Sequence, residues 1–432
     1  MPVISVDPDE LLRLTDADQF DLIEALPKLG VEIEKMEDEE WELEIFPDRC
    51  DMLSVEGIAR AVRGFLGIET GLVDYEVKES DIRTEVELSV QEVRPYIVTA
   101  HIKNVELTEP FLKSLMDVQE KLHLTLGRNR EKVAIGIHDA EKIEAPFTYK
   151  AVKPEEVSFQ PLQKRHEMTL KEILEKHEKG KEYAFVLEGK DRYPLITDKN
   201  DNVLSFPPII NGALTQLTED SEELFIDMTG TDQKALEDAL NIICSLFADR
   251  SAEIYSTTVA YGSKEKVYPD LSSEEMEINR EESKKLLGVD IGLEETAEIL
   301  EKMRYSTSII DDDTINVKIP AYRHDILHPY DIMEDLAIGY DFDNYEGVMP
   351  EDLTVGEGLK SKEVENAVAD ILVGYGFQEV MNSILSNPEK EFVKMGFEKE
   401  DDFAVVENPV SEEHTCLRVR LLPTLLNNLR KN

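Results

Sequence analysis

The sequence predicts an α+β multidomain protein. Its 432 residues are enough for about three domains of ~150 residues each. Segments that alternate apolar and polar residues, as strands do, are interspersed irregularly with segments that carry apolar residues at helical spacing. The sequence shows no repeat with a period of about 20 to 50 residues, which argues against a solenoid.

The first segment, residues 1–78, is predicted to be an N-terminal α+β domain. It opens with a short strand, VISV, followed by a helix that Asp7 can cap and that Pro8 suits in its first turn. The string VEIEKMEDEEWELEIF alternates as in a hairpin or a pair of strands. A helix in SVEGIARAVRGFLG, capped by Ser54, precedes an acidic, turn-rich boundary near residue 78.

Residues 79–268 are predicted to form one large mixed domain. Its strand candidates are KVAIGIHD, YAFVLEG, YPLIT and EELFIDMTG. Its clearest helix is TDQKALEDALNIICSLFADR, where apolar residues recur at helical spacing.

Residues 269–345 have a different organisation. Two short helices, EESKKLLG and LEETAEILEKM, precede a hairpin around IIDDDTINVKIPAY and then the acidic string RHDILHPYDIMED. That order suits a small winged-helix-like module. The remaining residues, 346–432, include KEVENAVADILVGYGFQEV and end in LLPTLLNNLRKN.

The chain is so acidic that clusters of carboxylates are expected by chance. Asp plus Glu total 93 and Lys plus Arg total 47, which gives a net charge of -46. Such an excess resembles proteins that work in concentrated salt, where charges more than ~3 Å apart are screened at about 1 M ions. A cluster of carboxylates is therefore no proof of a site.

Cysteine usage and the chain start predict an intracellular protein. Cys50, Cys244 and Cys416 lie far apart without a CxxC pair, so we expect free thiols in a reducing cytosol. The start lacks the features of a signal peptide, and no apolar run approaches the ~20 residues that span a bilayer. We expect a cytoplasmic protein.

Four carboxylates in RHDILHPYDIMED leave two interpretations open. On a helix, Asp331, Glu334 and Asp335 share one face, and Asp325 precedes that helix. Like charges this close repel each other unless a cation is present, and Mg²⁺ favours such oxygen ligands. The alternative is a solvated acidic helix start, which the helix dipole favours.

The usual catalytic motifs, such as GxSxG, HExxH and GxGxxG, are missing from the sequence. His138 and Asp139 could be a general base with its orienting acid, or a pair that only fixes a turn. Two basic clusters could contact phosphate or form surface ion pairs: Arg128, Arg130, Lys132 and Lys164, Arg165, His166.

Six strings run through nearly the whole chain: FPDRCDMLSVEGIARAVRGFLG (46–67), KVAIGIHDAEKIEAPFTYKAVKPEEVSFQPL (132–162), EMTLKEIL (167–174), LSFPPIING (204–212), IPAYRHDILHPYDIMEDLAIGYDF (319–342) and VENPVSEEHTCLRVRLLPTLLNNL (406–429). In content and order they resemble the beta subunits of phenylalanine-tRNA ligase (phenylalanyl-tRNA synthetase), of the archaeal and eukaryotic type.

The resemblance implies a heterotetramer of two alpha and two beta subunits that attaches phenylalanine to its tRNA with ATP. In that family the alpha subunit carries the synthetic site, so we expect no catalytic residue for synthesis here. The implied partners are the alpha subunit and the tRNA for phenylalanine, with no membrane or DNA partner.

The same resemblance makes residues 346–432 the start of a degenerate class II synthetase antiparallel-sheet domain. The family continues beyond this point, so we expect a C-terminally truncated chain. An alternative is a truncated, non-catalytic paralogue that binds RNA or protein.

The resemblance also implies two sites. Residues 79–268 are similar to the family's editing domain, which hydrolyses tyrosine mistakenly joined to the tRNA. The matching pocket positions are Leu195, Ser205, Asp227 and Thr229. The acidic string matches the family's magnesium positions, which implies a structural Mg²⁺ at Asp325, Asp331, Glu334 and Asp335.

Overall fold

The structure, a computed structural model, describes residues 2–37, 40–349 and 355–431. It is a mixed α+β, multidomain fold, as predicted. The chain divides into two compact units, Met1–Glu346 and Gly347–Asn432. The finer boundaries at residues 78 and 268 stay predictions, because both fall inside the first unit.

The N-terminal part of the first unit is a small sheet with three helices. Strands β1 and β2 both pair antiparallel with β3, and Asp7 and Ser54 cap the first and third helices as predicted. The elements are β1 (Val3–Val6), α1 (Pro8–Thr15), α2 (Gln19–Lys28), β2 (Val31–Met36), β3 (Trp41–Ile45) and α3 (Val55–Phe65).

The central part contains two larger sheets. Its strands are β4 (Val77–Lys78), β5 (Arg83–Val86), β6 (Tyr96–Lys103), β7 (Val133–Asp139), β8 (Phe147–Val152), β9 (Ser158–Phe159), β10 (Met168–Thr169), β11 (Tyr193–Thr197), β12 (Val203–Phe206), β13 (Ile210–Asn211), β14 (Leu224–Gly230), β15 (Glu253–Tyr255), β16 (Thr257–Tyr261) and β17 (Lys264–Tyr268). Its helices are α4 (Glu109–Leu124), α5 (Leu170–Lys176), α6 (Glu178–Tyr183) and α7 (Gln233–Asp249).

The seven-stranded sheet has the order β13-β12-β11-β8-β5-β16-β17, and the five-stranded sheet has the order β4-β15-β6-β14-β7. Strand β14 is buried along its whole length and pairs antiparallel with β6 on one side and β7 on the other. Helix α7 packs on this sheet.

One predicted strand, YAFVLEG, is wrong. These residues form the end of α6 and a turn of 3-10 helix, Ala184–Leu187. Tyr183 and Leu187 are buried four residues apart while Phe185 between them is exposed, which is helical spacing. The apolar run hides this period because the exposed position also carries an aromatic residue.

The last part of the first unit contains both predicted helices and the predicted hairpin. It also contains a strand that the sequence analysis missed, β18, which completes a sheet of order β18-β20-β19. The elements are β18 (Glu274–Asn279), α8 (Arg280–Leu287), α9 (Leu293–Lys302), β19 (Ser306–Ile309), β20 (Thr314–Ile319) and α10 (Pro329–Tyr340).

The second unit has little sheet in the residues that the structure describes. Two short strands pair antiparallel. The elements are α11 (Lys360–Gly374), β21 (Leu385–Ser386), α12 (Pro388–Glu391), β22 (Cys416–Leu417) and α13 (Leu422–Lys431). Across the described ranges of both units, the helices are too short or too polar to cross a membrane.

A buried ion pair joins the N-terminal and central parts. Arg250 follows α7, and its Nε donates to Glu56 Oε1 on α3 over 2.6 Å. A second nitrogen, Nη1, lies 2.8 Å from Glu10 Oε1 on α1. The Glu56 side chain is fully buried, and burial raises its pKa. The positive charge of Arg250 opposes this effect and stabilises the ionised carboxylate.

We predict that Arg250→Met lowers the free energy of unfolding by about 3–5 kcal/mol, because it leaves Glu56 buried without its partner. Arg13→Met is the matched control, since Arg13 pairs with Glu10 at the surface and should cost less than ~1 kcal/mol. Chemical denaturation measures both. Equal costs in the two variants would contradict this assignment.

Candidate functional site

A cavity of about 200 Å³ opens between β7, β14 and the segment that follows β12. Apolar and polar side chains both line it. The apolar residues include Met116, Ala134, Ile135, Ile209 and Ile210, and the polar ones include Glu120, Arg130, Lys179, Ser205, Asn211 and Asp227. A pocket that combines apolar walls with directed polar groups suits recognition of a small side chain.

Two wider clefts, of about 390 and 360 Å³, lie elsewhere in the first unit. In the larger one, the charged groups already satisfy each other: Arg60 pairs with Asp249 at 2.6 Å, and Arg63 pairs with Glu69 at 2.8 Å. We therefore place the site in the smaller cavity, where polar groups are left free.

Asp227 is the central polar group of this cavity. Its carboxylate is buried, and Oδ2 lies 2.6 Å from His138 Nε2. The other ring nitrogen, Nδ1, lies 2.7 Å from Thr215 Oγ1. Within the described residues, Asp227 Oδ1 has no hydrogen-bond partner. One carboxylate oxygen is thus fixed by the protein, and the other is available to a ligand.

A glycine makes room for this contact. Gly136 is the cross-strand partner of Asp227, between β7 and β14. A Cβ at this position would lie 2.5 Å from Asp227 Oδ2 and 2.9 Å from His138 Nε2. Both distances are too short, so a side chain here would push Asp227 and His138 apart.

The four predicted pocket residues lie in two different environments. Ser205 lines the cavity beside Asp227, and its buried Oγ has no hydrogen-bond partner among the described residues. Leu195 is fully buried behind the wall, in a small apolar core with Phe206 and Ile209. Only Ser205 and Asp227 therefore line the cavity.

Thr229 also lies behind the wall, where it binds Arg94. The Arg94 side chain is buried, and its Nε donates to Thr229 Oγ1 over 3.0 Å. Its Nη2 donates to the Thr229 carbonyl over 2.6 Å. Burial lowers the pKa of Arg94 to about 10. This arginine fixes the end of β14 through hydrogen bonds rather than through an ion pair.

The sequence left two interpretations of His138 and Asp139 open, a base with its orienting acid or a pair that fixes a turn. The structure does not bring the two side chains together, and Asp139 Oδ1 accepts from the backbone N–H of Glu141 in the following turn. Successive strand residues point to opposite faces, so the two side chains diverge. Asp139 Oδ2 instead accepts from Ser221 Oγ over 2.9 Å and lies 2.7 Å from Lys142 Nζ. Asp227 is the carboxylate that contacts His138, and their separation of 89 positions in the sequence hid the pair from sequence reasoning.

An arginine neutralises part of the predicted metal cluster. Arg323 is buried, and its Nη2 lies 2.7 Å from Asp325 Oδ2 while Nη1 lies 2.7 Å from Asp335 Oδ2. Asp331 caps α10, because its Oδ2 accepts from the backbone of Leu327 and His328 over 2.8 and 2.7 Å. Arg323 and the helix end thus supply part of the positive charge that these carboxylates require.

Glu334 is the exposed member of this cluster. Partial burial, and then the carboxylates of Asp335 and Asp48, raise the pKa of Glu334. Within the described ranges, the carboxylates whose oxygens all lie within 4.8 Å of one another belong to a different group, Glu32, Glu34 and Glu44. The four predicted ligands are neighbours but do not form such a group.

Two basic clusters also have different surroundings. Arg130 is buried in the cavity wall, where it donates to the Pro208 carbonyl over 3.1 Å and pairs with Glu120 at 2.7 Å. Lys132 pairs with Asp232 at 2.8 Å. The second cluster, which begins at Lys164, follows two residues of the cavity wall, Leu162 and Gln163.

Three family models match the chain. They are the B3/4 domain at residues 96–247, the tRNA synthetase B5 domain at residues 276–342, and the phenylalanyl tRNA synthetase beta chain CLM domain at residues 346–432. The cavity lies in the first match, and the acidic cluster lies in the second.

Curated relatives cover the whole chain. The phenylalanine-tRNA ligase beta subunit of Archaeoglobus fulgidus is 45% identical over 434 residues, with 100% of this chain and 79% of the relative covered. The same subunit of Methanosarcina barkeri is 43% identical, with the same coverage of both chains. The chain belongs to the family of phenylalanine-tRNA ligase beta subunits.

The structural comparison agrees with this family. A crystal structure of an N-terminal fragment of the phenylalanyl-tRNA synthetase beta subunit from Pyrococcus horikoshii matches with a TM-score of 0.76 and 39% identity. The match covers 78% of this chain and 99% of the fragment. As a beta subunit, the chain is part of an aminoacyl-tRNA synthetase. These matches do not favour the non-catalytic paralogue.

The cavity wall yields a pH-dependent prediction. His123 Nε2 accepts from the backbone N–H of Ile135, and burial lowers the pKa of His123 to about 4 from its ordinary 6.5. Between these two pH values the unfolded chain binds a proton that the native state does not bind. Stability should therefore fall as the pH falls from 6.5 towards 4.

We predict that His123→Gln reduces the loss of unfolding free energy between pH 7 and pH 5 by about 2 kcal/mol. The glutamine carbonyl can accept the same backbone N–H but does not titrate. Urea denaturation at the two pH values measures the difference. Identical pH dependence in the wild type and the variant would assign the acid sensitivity to other groups.

Proposed function

We propose that this beta subunit hydrolyses tyrosyl-tRNA in the cavity at Asp227, and that it supports the attachment of phenylalanine to tRNA by a partner subunit. The observation that carries the proposal is the buried Asp227 carboxylate, whose Oδ2 contacts His138 while Oδ1 is left without a partner. A phenol O–H entering the cavity could donate to Oδ1.

The chemistry gives a reason for such a site. An apolar pocket that binds phenylalanine rejects a near isostere with an added hydroxyl by only about 100-fold. A second site that hydrogen-bonds the hydroxyl can reject the analogue without it by about 10⁴-fold, because a buried polar group is then left unpaired. The cavity places isoleucine side chains beside the unpartnered Oδ1 of Asp227, and Glu120 and Asn211 are further acceptors in its lining.

Each of the four proposed pocket residues has a separate role. Asp227 accepts the tyrosyl hydroxyl, and Ser205, whose buried Oγ has no hydrogen-bond partner among the described residues, lines the cavity beside it. Leu195 and Thr229 support the wall from behind, Leu195 through apolar packing and Thr229 through Arg94. The ester is cleaved by a water molecule that the bound substrate and these groups position.

The subunit composition is part of the same proposal. We propose an alpha subunit that carries the synthetic site and uses ATP, in a tetramer of two alpha and two beta subunits that binds the tRNA for phenylalanine. The names of the relatives support a partner subunit and a tRNA substrate.

We predict that Asp227→Ala in the complex with the partner subunit lowers kcat/KM for tyrosyl-tRNA hydrolysis at least about 100-fold, because the hydroxyl acceptor is lost. Aminoacylation with phenylalanine should be unchanged. Deacylation of radiolabelled tyrosyl-tRNA measures the hydrolysis, and charging of tRNA with phenylalanine measures the aminoacylation.

Asp139→Asn is the matched control for this experiment. Asp139 is also buried and follows His138 directly, but it contacts Ser221 rather than the cavity. It should hydrolyse tyrosyl-tRNA at the wild-type rate. Wild-type clearance by Asp227→Ala would remove the editing assignment.

We also propose Mg²⁺ at Asp325, Asp331, Glu334 and Asp335, with a structural role only. The pKa of Glu334 is raised first by partial burial and then by the neighbouring carboxylates of Asp335 and Asp48, and a cation bound by Glu334 would offset the repulsion from those carboxylates. Glu334 is exposed and can bind an ion that keeps several of its waters.

We predict that Mg²⁺ at constant ionic strength raises Tm, by about 1–2 °C for each kcal/mol of binding-linked stabilisation. The shift should be smaller in Glu334→Gln and unchanged in Glu298→Gln, an exposed glutamate on α9. Differential scanning calorimetry measures all three proteins. If Mg²⁺ shifts none of them, Arg323 alone neutralises the cluster.

A further inference from the structure

We propose that residues 163–166, here called the basic loop, bind the sugar-phosphate backbone of the single-stranded 3′ end of the tRNA at the rim of the cavity. The inference rests on the proposed editing function. It adds the contact that would position the tRNA end so that the tyrosyl group reaches Asp227. The basic loop consists of Gln163, Lys164, Arg165 and His166.

The first argument is the position of the loop. Leu162 and Gln163 line the cavity, so the three basic residues begin one residue beyond its wall. Arg165 and His166 are exposed, and Lys164 is half-buried. A tyrosyl group inserted as far as Asp227 would leave its attached nucleotide at this rim.

The second argument is that the loop is fixed to the wall. Pro161 forms an antiparallel bridge with Gly212, and the Leu162 N–H donates to the Asn211 carbonyl over 3.0 Å. The side chain of Gln160 donates to the Lys164 carbonyl over 2.7 Å. The loop therefore presents its cations at a defined place relative to Asn211, which lines the cavity.

The third argument is charge. In the part of the chain that the structure describes, no carboxylate oxygen lies within 4.0 Å of the Lys164 ammonium or the Arg165 guanidinium. Most basic side chains of this acidic protein are paired, as the other predicted cluster illustrates: Arg130 binds Glu120 and Lys132 binds Asp232. Lys164 and Arg165 are thus free to bind phosphates.

The surrounding groups are compatible with an anion. Glu120 at the cavity is held by Arg130, and Lys179 lines the cavity although it lies 3.1 Å from Glu182. Glu167, next to His166, accepts from Ser158 Oγ over 2.9 Å. Arginine can bind a phosphate in two-pronged fashion, and lysine adds a mobile positive charge.

The test uses the full complex and tyrosyl-tRNA. In the double variant Lys164→Ala/Arg165→Ala, KM for deacylation should rise roughly tenfold with kcat unchanged, because the loop binds the backbone and does not touch the ester. The Kd for an analogue with an amide in place of the ester should rise by the same factor. The slope of log Kd against the logarithm of the salt concentration should decrease in magnitude by about 1.4, because each of the two lost contacts to single-stranded RNA contributes about 0.7.

The double variant Lys284→Ala/Lys285→Ala is the control, because it changes the net charge equally on α8, away from the cavity. It should bind and hydrolyse as the wild type does. An unchanged KM and Kd in the loop variant would overturn the proposal, and so would an equal loss in the control, which would indicate long-range electrostatics only.

Failure of the loop and failure of the pocket are distinguishable. The binding of the amide analogue does not depend on hydrolysis, so it tests the basic loop even if Asp227→Ala retains deacylation. Conversely, Asp227→Ala could lose deacylation while the loop variant binds the amide analogue with the wild-type Kd. That result would support the pocket assignment and overturn the proposal for the basic loop.

Discussion

The central part of the first unit depends on the pairing of one buried strand, β14, along both of its edges. Strands β6 and β7 satisfy its backbone, but its side chains Asp227 and Thr229 are polar and buried. A buried polar group without a partner costs ~1–3 kcal/mol, and a buried carboxylate costs more. The fold therefore brings His138 to Asp227 and Arg94 to Thr229.

The hydrogen bonding of Thr229 is complete, whereas that of Asp227 is not, and this difference creates the candidate site. Thr229 has both its hydroxyl and its carbonyl bound by Arg94, so it is locked into the structure. Asp227 has only one oxygen bound by His138, and the strand places the other beside the cavity. A buried carboxylate with one oxygen left free can be completed by a hydrogen-bond donor on a ligand, and in the proposed function that donor is the tyrosyl hydroxyl.

The sequence predicted the parts of this arrangement that have a local signal. Strands β7, β11 and β14 and helix α7 have clear periodicity, and the caps Asp7 and Ser54 precede their helices directly. The contact between His138 and Asp227 joins different strands and leaves no local pattern. Gly136 was the available signal, because a glycine inside an apolar strand indicates a close approach.

Sequence reasoning could also have identified Arg323 as the cation of the acidic cluster. Arg323 lies only two residues before Asp325, yet the count of carboxylates drew attention to a metal instead. The second contact of Arg323, to Asp335, depends on the turn between β20 and α10, and no spacing rule predicts that turn. Local chemistry is readable from the sequence, whereas partners brought together by topology are not.

Charge connects the fold to the proposed function. A net charge of -46 opposes the approach of an RNA, although salt at about 1 M shortens the range of that repulsion to ~3 Å. Under such screening, only groups in direct contact with the RNA matter. Most arginines and lysines are bound to carboxylates, and among the described residues Lys164 and Arg165 belong to the remainder that are not. They lie beside the cavity, so the proposed contact with RNA needs no carboxylate to be displaced first.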